Sequence, residues 1–295
     1  MQTDTSSSGL LLVRGGVLPL GDRVHIMGIL NVTPDSFSDG GRYMNPDEAL
    51  AHAMTMVEDG ADVLDIGAES SKPGAVPIDA QEERRRLMPI VRAICRRTAV
   101  PLSIDTAKAS IAEEALDAGA AMINDISALR FDARMAEVVA KSGAGLVLMH
   151  MLGTPQTMQQ AAQYADVVEE VKLFLMARVK AANEAGIASD RILLDPGLGF
   201  GKNRTHNLAL LNRLDSLLAL RRPLMVGVSR KAFIGKILDR PIDERVMGTA
   251  AAVAVAIMKG ARLVRVHDVA PIRDVVRVIE AIRHPQQSAA AGPDS

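Results

Sequence analysis

Asp105, Asn124 and Asp195 stand near the ends of three short apolar runs, PLSIDT, MINDIS and ILLDPG. A carboxylate accepts two parallel hydrogen bonds from an amino group and an adjacent ring N–H, while an amide side chain both donates and accepts. Together the three fit the edge of a 2-amino-4-oxo heterocycle such as a pterin or guanine; singly, each reads as well as the cap of a following helix. A second group is cationic: Ser229-Arg230-Lys231 after LMVGV, and Arg265 with His267 in LVRVHD. Two residues apart, Arg265 and His267 point to the same side of a strand and read as an anion clamp. The plainer alternative is a buried arginine paired with a carboxylate. A third group is the segment NVTPDSFSDGG from Asn31 to Gly41, whose oxygen donors suit Mg²⁺, an ion that shares its shell with waters and substrate phosphates. An ordinary capped turn is the competing account. The stretch AESSKPG, from Ala68 to Gly74, sets Lys72 beside hydroxyls on a Pro-Gly loop. His150, between Met149 and Met151, reads equally as a satisfied core histidine or a ligand contact. Zinc spacing and nucleophilic triads are not evident.

These residues are exits from eight apolar runs: His25–Thr33, Val63–Ser70, Pro101–Thr106, Met122–Ser127, Leu146–Met151, Ile192–Gly197, Leu224–Arg230 and Leu263–Asp268. Short apolar runs without clean alternation suit parallel strands buried on both faces. Eight of them separated by helical segments predict an α/β chain closed into a (β/α)₈ barrel, where reactive residues collect at the C-terminal strand ends. Asn45-Pro46-Asp47-Glu48 starts one helix with a cap, a proline and first-turn acids, and Gly60 ends it; Gly119, Gly143, Gly186 and Gly260 stand at the matching place in later units. Before His25, LLLVRGGVLPLGDR predicts a hairpin turning at Gly-Gly and plugging the bottom of the barrel. The helix GTAAAVAVAIMK, Gly248–Lys259, is apolar nearly all round, which predicts cover on its outer side by neighbouring helices or by another subunit.

Composition bounds the rest. With 34 Lys and Arg against 35 Asp and Glu, the net charge of −1 provides no global field for nucleic acid or membrane. The absence of Trp, with five Phe and two Tyr, argues against a platform for stacking bases. The single Cys95 rules out an internal disulfide and predicts a place on the inner face of a helix. Leu10–Val13 is too short for a signal-peptide core, and a cytoplasmic location is expected. One domain is expected over residues 9–284, flanked by disordered ends at 1–8 and 285–295.

From about His25 to Ile282 the chain resembles the dihydropteroate synthases. The motifs that carry the resemblance are MGILNVTPDSFSDGG (Met27–Gly41), SIDT (Ser103–Thr106), NDI (Asn124–Ile126), LMHM (Leu148–Met151), DPGLGFGK (Asp195–Lys202), SRK (Ser229–Lys231) and RVHDV (Arg265–Val269). The resemblance implies a (β/α)₈ barrel that joins (7,8-dihydropterin-6-yl)methyl diphosphate to 4-aminobenzoate with Mg²⁺, releasing diphosphate. It implies pterin contacts from Asp105, Asn124, Asp195 and Lys231, with Met149 and Phe200 lining the slot. Asn31, Arg265 and His267 would hold diphosphate, and Asn31 would touch the metal. Asp35 and Phe37 on the first loop would help to assemble the aminobenzoate site, Lys72 on the second would serve aminobenzoate and diphosphate, and Thr33, Ser71 and Pro73 would also contact substrate. Sulfonamides, which mimic aminobenzoate, would compete there, and a homodimer through Gly248–Lys259 is implied. The family usually has Ser-Thr-Arg-Pro-Gly where this chain has Ser70-Ser71-Lys72-Pro73-Gly74, and often Ser where Ala232 stands. A methyltetrahydrofolate-type methyltransferase shares the Asp, Asn, Asp pocket but needs no diphosphate loop. A non-catalytic pterin-binding paralogue is the other rival, because Lys72 alters a catalytic loop.

Overall fold

Apolar runs of this kind bury both sides of a sheet when helices cover both faces, or when helices cover one and the sheet closes over the other. The computed structural model describes residues 9–21, 23–33, 45–160 and 162–285. Strands β3 (His25–Asn31), β4 (Val63–Gly67), β5 (Leu102–Asp105), β6 (Met122–Asp125), β7 (Gly145–Met149), β8 (Ile192–Asp195), β9 (Leu224–Val226) and β10 (Ala261–Val266) pair in parallel and chain order, and β10 closes on β3. Every one of the eight runs therefore holds a barrel strand. The seventh ends as a strand at Val226, and the chain then turns through Ser229 and Arg230, whose φ is +54°.

Around the barrel lie α1 (Pro46–Glu58), α2 (Ala80–Arg97), α3 (Ala109–Asp117), α4 (Met135–Ser142), α5 (Val167–Glu184), α6 (Arg204–Asn212), α7 (Ala232–Leu238), α8 (Val246–Met258) and α9 (Val269–Arg283). The Asn45 side chain caps α1 through the Asp47 N–H, and the five glycines expected to turn helices back toward the sheet take positive φ, from +66° to +112°. Cys95 is partly buried on α2, and burial raises its thiol pKa, which disfavours the reactive thiolate. Of the ends expected to be disordered, 1–8 and 285–295, all but Pro285 lie outside the described residues.

The hairpin is present as β1 (Leu10–Val13) and β2 (Gly16–Pro19). Its turn is Arg14-Gly15, not Gly15-Gly16: Val13 already faces Gly16, and Gly15 supplies the positive φ of +77°. Leu11, Val13, Leu18 and Leu20 pack against Met27, Val63, Met122, Val147, Leu193, Met225 and Leu263. The hairpin thus closes an apolar layer inside the N-terminal end of the barrel. On α8, Thr249, Val253, Ala256 and Ile257 are buried, whereas Met247, Val255 and Met258 are 76%, 45% and 60% exposed. Within one chain, the outer stripe is uncovered.

Candidate active site

Two residues beyond each strand member of that apolar layer, on the same side of its strand, stand Ile29, Asp65, Asn124, Met149, Asp195, Gly227 and Arg265. The chemistry is thus the next layer up inside the barrel. Asp105 joins it from the end of β5, opposite Asn124 and beside Gly67, where a Cβ would stand 3.1 Å from its own.

Arg265 ties the layer together. Its Nε donates to Asp65 Oδ2 at 2.6 Å and its Nη2 to Asp105 Oδ2 at 2.9 Å, while Asn124 Nδ2 donates to the same Asp65 oxygen at 3.1 Å. The plainer account of Arg265 therefore holds, since it is paired with carboxylates; it also lines the cavity above. Asp65 was missed. Its signal was an acid interrupting VLDIG at an inward position, and it is fully buried. Among the described residues, Asp65 Oδ1 and Asn124 Oδ1 are buried acceptors without a donor. Buried acceptors of this kind carry a desolvation cost that a ligand N–H can relieve.

The charges are strongly shifted. Burial pushes the Asp105 carboxyl up to about 7, with the Arg265 guanidinium opposing and Asp65 adding to the rise. Asp195 is raised by burial, against the Gly197 N–H that donates to its Oδ1 at 2.7 Å. Lys231 falls to about 8 through burial and the nearby Arg265. His267 falls to about 3, mainly through burial and then Arg265, so it is neutral near pH 7 and acts as a hydrogen-bonding imidazole beside Ser229 Oγ, at 2.9 Å. Arg230 is paired with Asp268. The positive character expected of this cluster rests on Arg265 and Lys231.

A cavity of about 640 Å³ covers the layer. Asn31, Thr33, Ser71, Lys72 and Pro73 line it from β3 and β4, and Phe200, Lys231, Ala232, Arg265 and His267 from the other side. Asn124, Asp195 and Met149 are buried beside it, at 3%, 5% and 2% exposure. Met149, Met151 and Met158 form an apolar patch with Ile126 and Phe200, and the Phe200 ring lies 4.4 Å from Lys231 Nζ. Such a patch, next to acids and amides, suits a flat heterocycle with a polar edge. Asp35 and Phe37 lie outside the described residues.

The second loop is held at its base. Glu69 accepts from the Ile78 N–H at 3.2 Å and pairs with Lys108, which also reaches the buried Glu83 at 2.5 Å. Its tip rests on the loop after β7, Gly74 N–H donating to Pro155 O at 3.0 Å. A smaller cavity of about 350 Å³ lies on the other side of Ser70 and Ser71. His150 is a satisfied core histidine: its Nδ1 is 2.8 Å from Lys202 Nζ and its ring meets Phe174 edge-on at 4.8 Å. Among the described residues, no three His, Cys, Asp or Glu side chains gather as metal ligands.

A family model described as "Pterin binding enzyme" matches residues 27–267. The dihydropteroate synthase of Synechocystis sp. is 46% identical over 263 residues, covering 89% of this chain and 91% of that protein. The chain belongs to the dihydropteroate synthase family. It is an enzyme, a transferase of folate biosynthesis, and the methyltransferase alternative gives way. The crystal structure of Yersinia pestis dihydropteroate synthase in complex with a sulfonamide drug superposes with a TM-score of 0.89 at 45% identity, covering 93% of this chain and 99% of that one. The Xanthomonas albilineans enzyme with 4-aminobenzoic acid superposes with a TM-score of 0.86 at 44% identity, covering 97% and 100%.

Proposed function

We propose that the cavity binds (7,8-dihydropterin-6-yl)methyl diphosphate with its ring in the buried layer and its diphosphate at the rim, where 4-aminobenzoate meets it. The observation that carries this is a cavity lined by Asp105, Lys231, Arg265 and His267 whose Arg265 is bonded to a buried layer, where Asp65 and Asn124 each keep an acceptor without a donor. Asn124, Asp195 and Asp105 meet the amino and N–H groups of the pterin, with Met149 and Phe200 against its faces.

The C–O bond to diphosphate breaks first, its electron pair leaving with the diphosphate and a resonance-stabilised pterin methylene cation remaining. Asp105 and Asp195 stabilise that cation, and Arg265 the departing anion, its Nε still anchored on Asp65 while the edge now on Asp105 turns to phosphate oxygens. Lys231 and the neutral His267 add hydrogen bonds. The aniline nitrogen then attacks the methylene carbon, a C–N bond forms, and that nitrogen loses a proton. Arylamine nitrogen is already a nucleophile, so no activated side chain is needed. Burial of the ring in this layer excludes water from the cation.

Mg²⁺ belongs to the same proposal. The Asn31 amide at the lip fits an ion that takes most of its ligands from diphosphate and water, and the described residues offer no all-protein cage. When bound, it would neutralise leaving-group charge. Sulfonamides would compete with aminobenzoate beside Lys72 and Ala232.

The reading is tested by following diphosphate and dihydropteroate together in a mixture of protein, Mg²⁺ and both substrates. Coupled formation is expected; tight pterin binding with neither product would favour the non-catalytic paralogue. Lys72 keeps a charge but lacks the planar fork of arginine. Lys72→Arg should lower the KM for aminobenzoate about fivefold, an effect of ~1 kcal/mol, in steady-state kinetics. An unchanged KM would show that the loop absorbs the difference.

A homodimer through α8 is the quaternary part of the proposal. Met247, Val255 and Met258 form an exposed stripe at helical spacing, and Val278 and Ile282 on α9 are 60% and 65% exposed. Sedimentation should show a dimer at micromolar concentration and a monomer for Val255→Glu. A wild-type monomer would overturn it. A cytoplasmic location completes the reading, supported by kinship with folate-pathway transferases.

A further inference from the structure

Lys202 is buried at 3% exposure, yet none of the steps above uses it. Its Nζ meets Gly197 O at 2.9 Å, Phe200 O at 3.0 Å, His150 O at 3.3 Å and His150 Nδ1 at 2.8 Å. Burial lowers the Lys202 amine to about 7, yet all four neighbours are acceptors, which favours the protonated form with three hydrogens to donate. Burial also keeps His150 unprotonated, so that Nδ1 can accept.

The carbonyls converge because Gly197, Gly199 and Gly201 take φ values of +66°, +86° and +61°. At Gly197 a Cβ would fall 2.0 Å from His150 O, so the close approach of the loop to β7 excludes any other residue. A loop curled this way turns main-chain carbonyls inward; Gly197 O also accepts from the Phe200 N–H at 3.1 Å, and the lysine ties that turn to the Phe200 and His150 carbonyls. From the other side, Asn207 Oδ1 accepts from Gly199 N–H at 2.7 Å, and Asn207 Nδ2 donates to Lys202 O at 3.3 Å.

Two groups at the cavity hang on this loop. The Gly197 N–H donates to Asp195 Oδ1, and the Phe200 ring stands over Lys231. Lys202 therefore holds both carbonyls, Gly197 and Phe200, of the residues that aim them. We infer that Lys202 is a positioning residue for the pterin end of the cavity: its buried ammonium fixes the Gly197–Phe200 turn and thereby the placement of Asp195 and Phe200. The inference rests on the reading above that Asp195 and Phe200 contact the pterin.

Lys202→Met keeps the length of the side chain and removes its donors. It should raise the Kd for the pterin diphosphate by about 10- to 100-fold, the scale of a sub-ångström misplacement, and leave the KM for aminobenzoate within about twofold. Asn207→Leu releases the same turn from its opposite side and should reproduce the split, which keeps the test open if Lys202→Met does not fold. Circular dichroism and thermal melts of both variants are recorded alongside. Equal changes in both substrates, or unchanged pterin affinity in a folded variant, would overturn the positioning role. Wild-type protein run in parallel separates the two levels: turnover in the wild type without a split in the variants sinks only this inference, and no wild-type turnover sinks the functional reading.

Discussion

Arg265→Met should lower turnover by about 10²–10³-fold, the loss expected when one donor to a developing anion is removed. It should also lower the melting temperature. Asp65 is fully buried and Asp105 partly so, and both take a guanidinium N–H from Arg265. Removing one partner of a buried pair leaves an uncompensated charge, at a cost of about 3–5 kcal/mol. The two losses can be separated. Adding Asp65→Asn removes the stranded charge, keeps a group that can accept from Asn124, and should recover much of the thermal stability while turnover stays low. Melting curves and steady-state kinetics on the single and double variants test this. Turnover that recovers with stability would mean that Arg265 serves Asp65 and not the leaving diphosphate.

That pair also shows where sequence reading stopped. The barrel was legible because buried parallel strands write themselves as short apolar runs, and every run proved to contain one. The hairpin was legible too, although its turn slid by a residue because Gly16 already pairs with Val13. Candidate residues at strand ends were legible because a polar group breaking an apolar run must be answered by something. Asp65 escaped for the opposite reason: it lies in the middle of a run, and its partner Arg265 is two hundred residues away. Only the closed register, which puts β10 next to β3 and β3 next to β4, brings them together. Lys202 closes the motif DPGLGFGK, but its convergence on three carbonyls depends on backbone angles that no residue pattern announces. The protonation of His267 was likewise hidden, since burial and the Arg265 charge decide it.

The other end of the ion pair should behave in the reverse way for stability. Asp105→Asn should reduce turnover by about 10²–10³-fold through loss of the charge that faces the pterin cation, yet raise the melting temperature at pH 8. The sign follows from linkage. Folding raises the Asp105 carboxyl from an unfolded value of about 3.9 to about 7. The charged form is therefore penalised by folding: the penalty is absent below about pH 4, grows between the two values and is complete above about pH 7. Asparagine never carries it, and Arg265 keeps its bond to Asp65. A net gain of ~1 kcal/mol would appear as about 2 °C or more in a chain of this size. The gap between variant and wild type should shrink as the pH is lowered toward 5, because the wild-type residue is by then mostly protonated. Over the same range kcat/KM of the wild type should fall as Asp105 takes up its proton. A variant that melts lower than wild type at pH 8 would show that Asp105 holds Arg265 in place more than it suffers from burial. The expected result instead marks it as a charge kept in an unfavourable place because the pterin cation forms there.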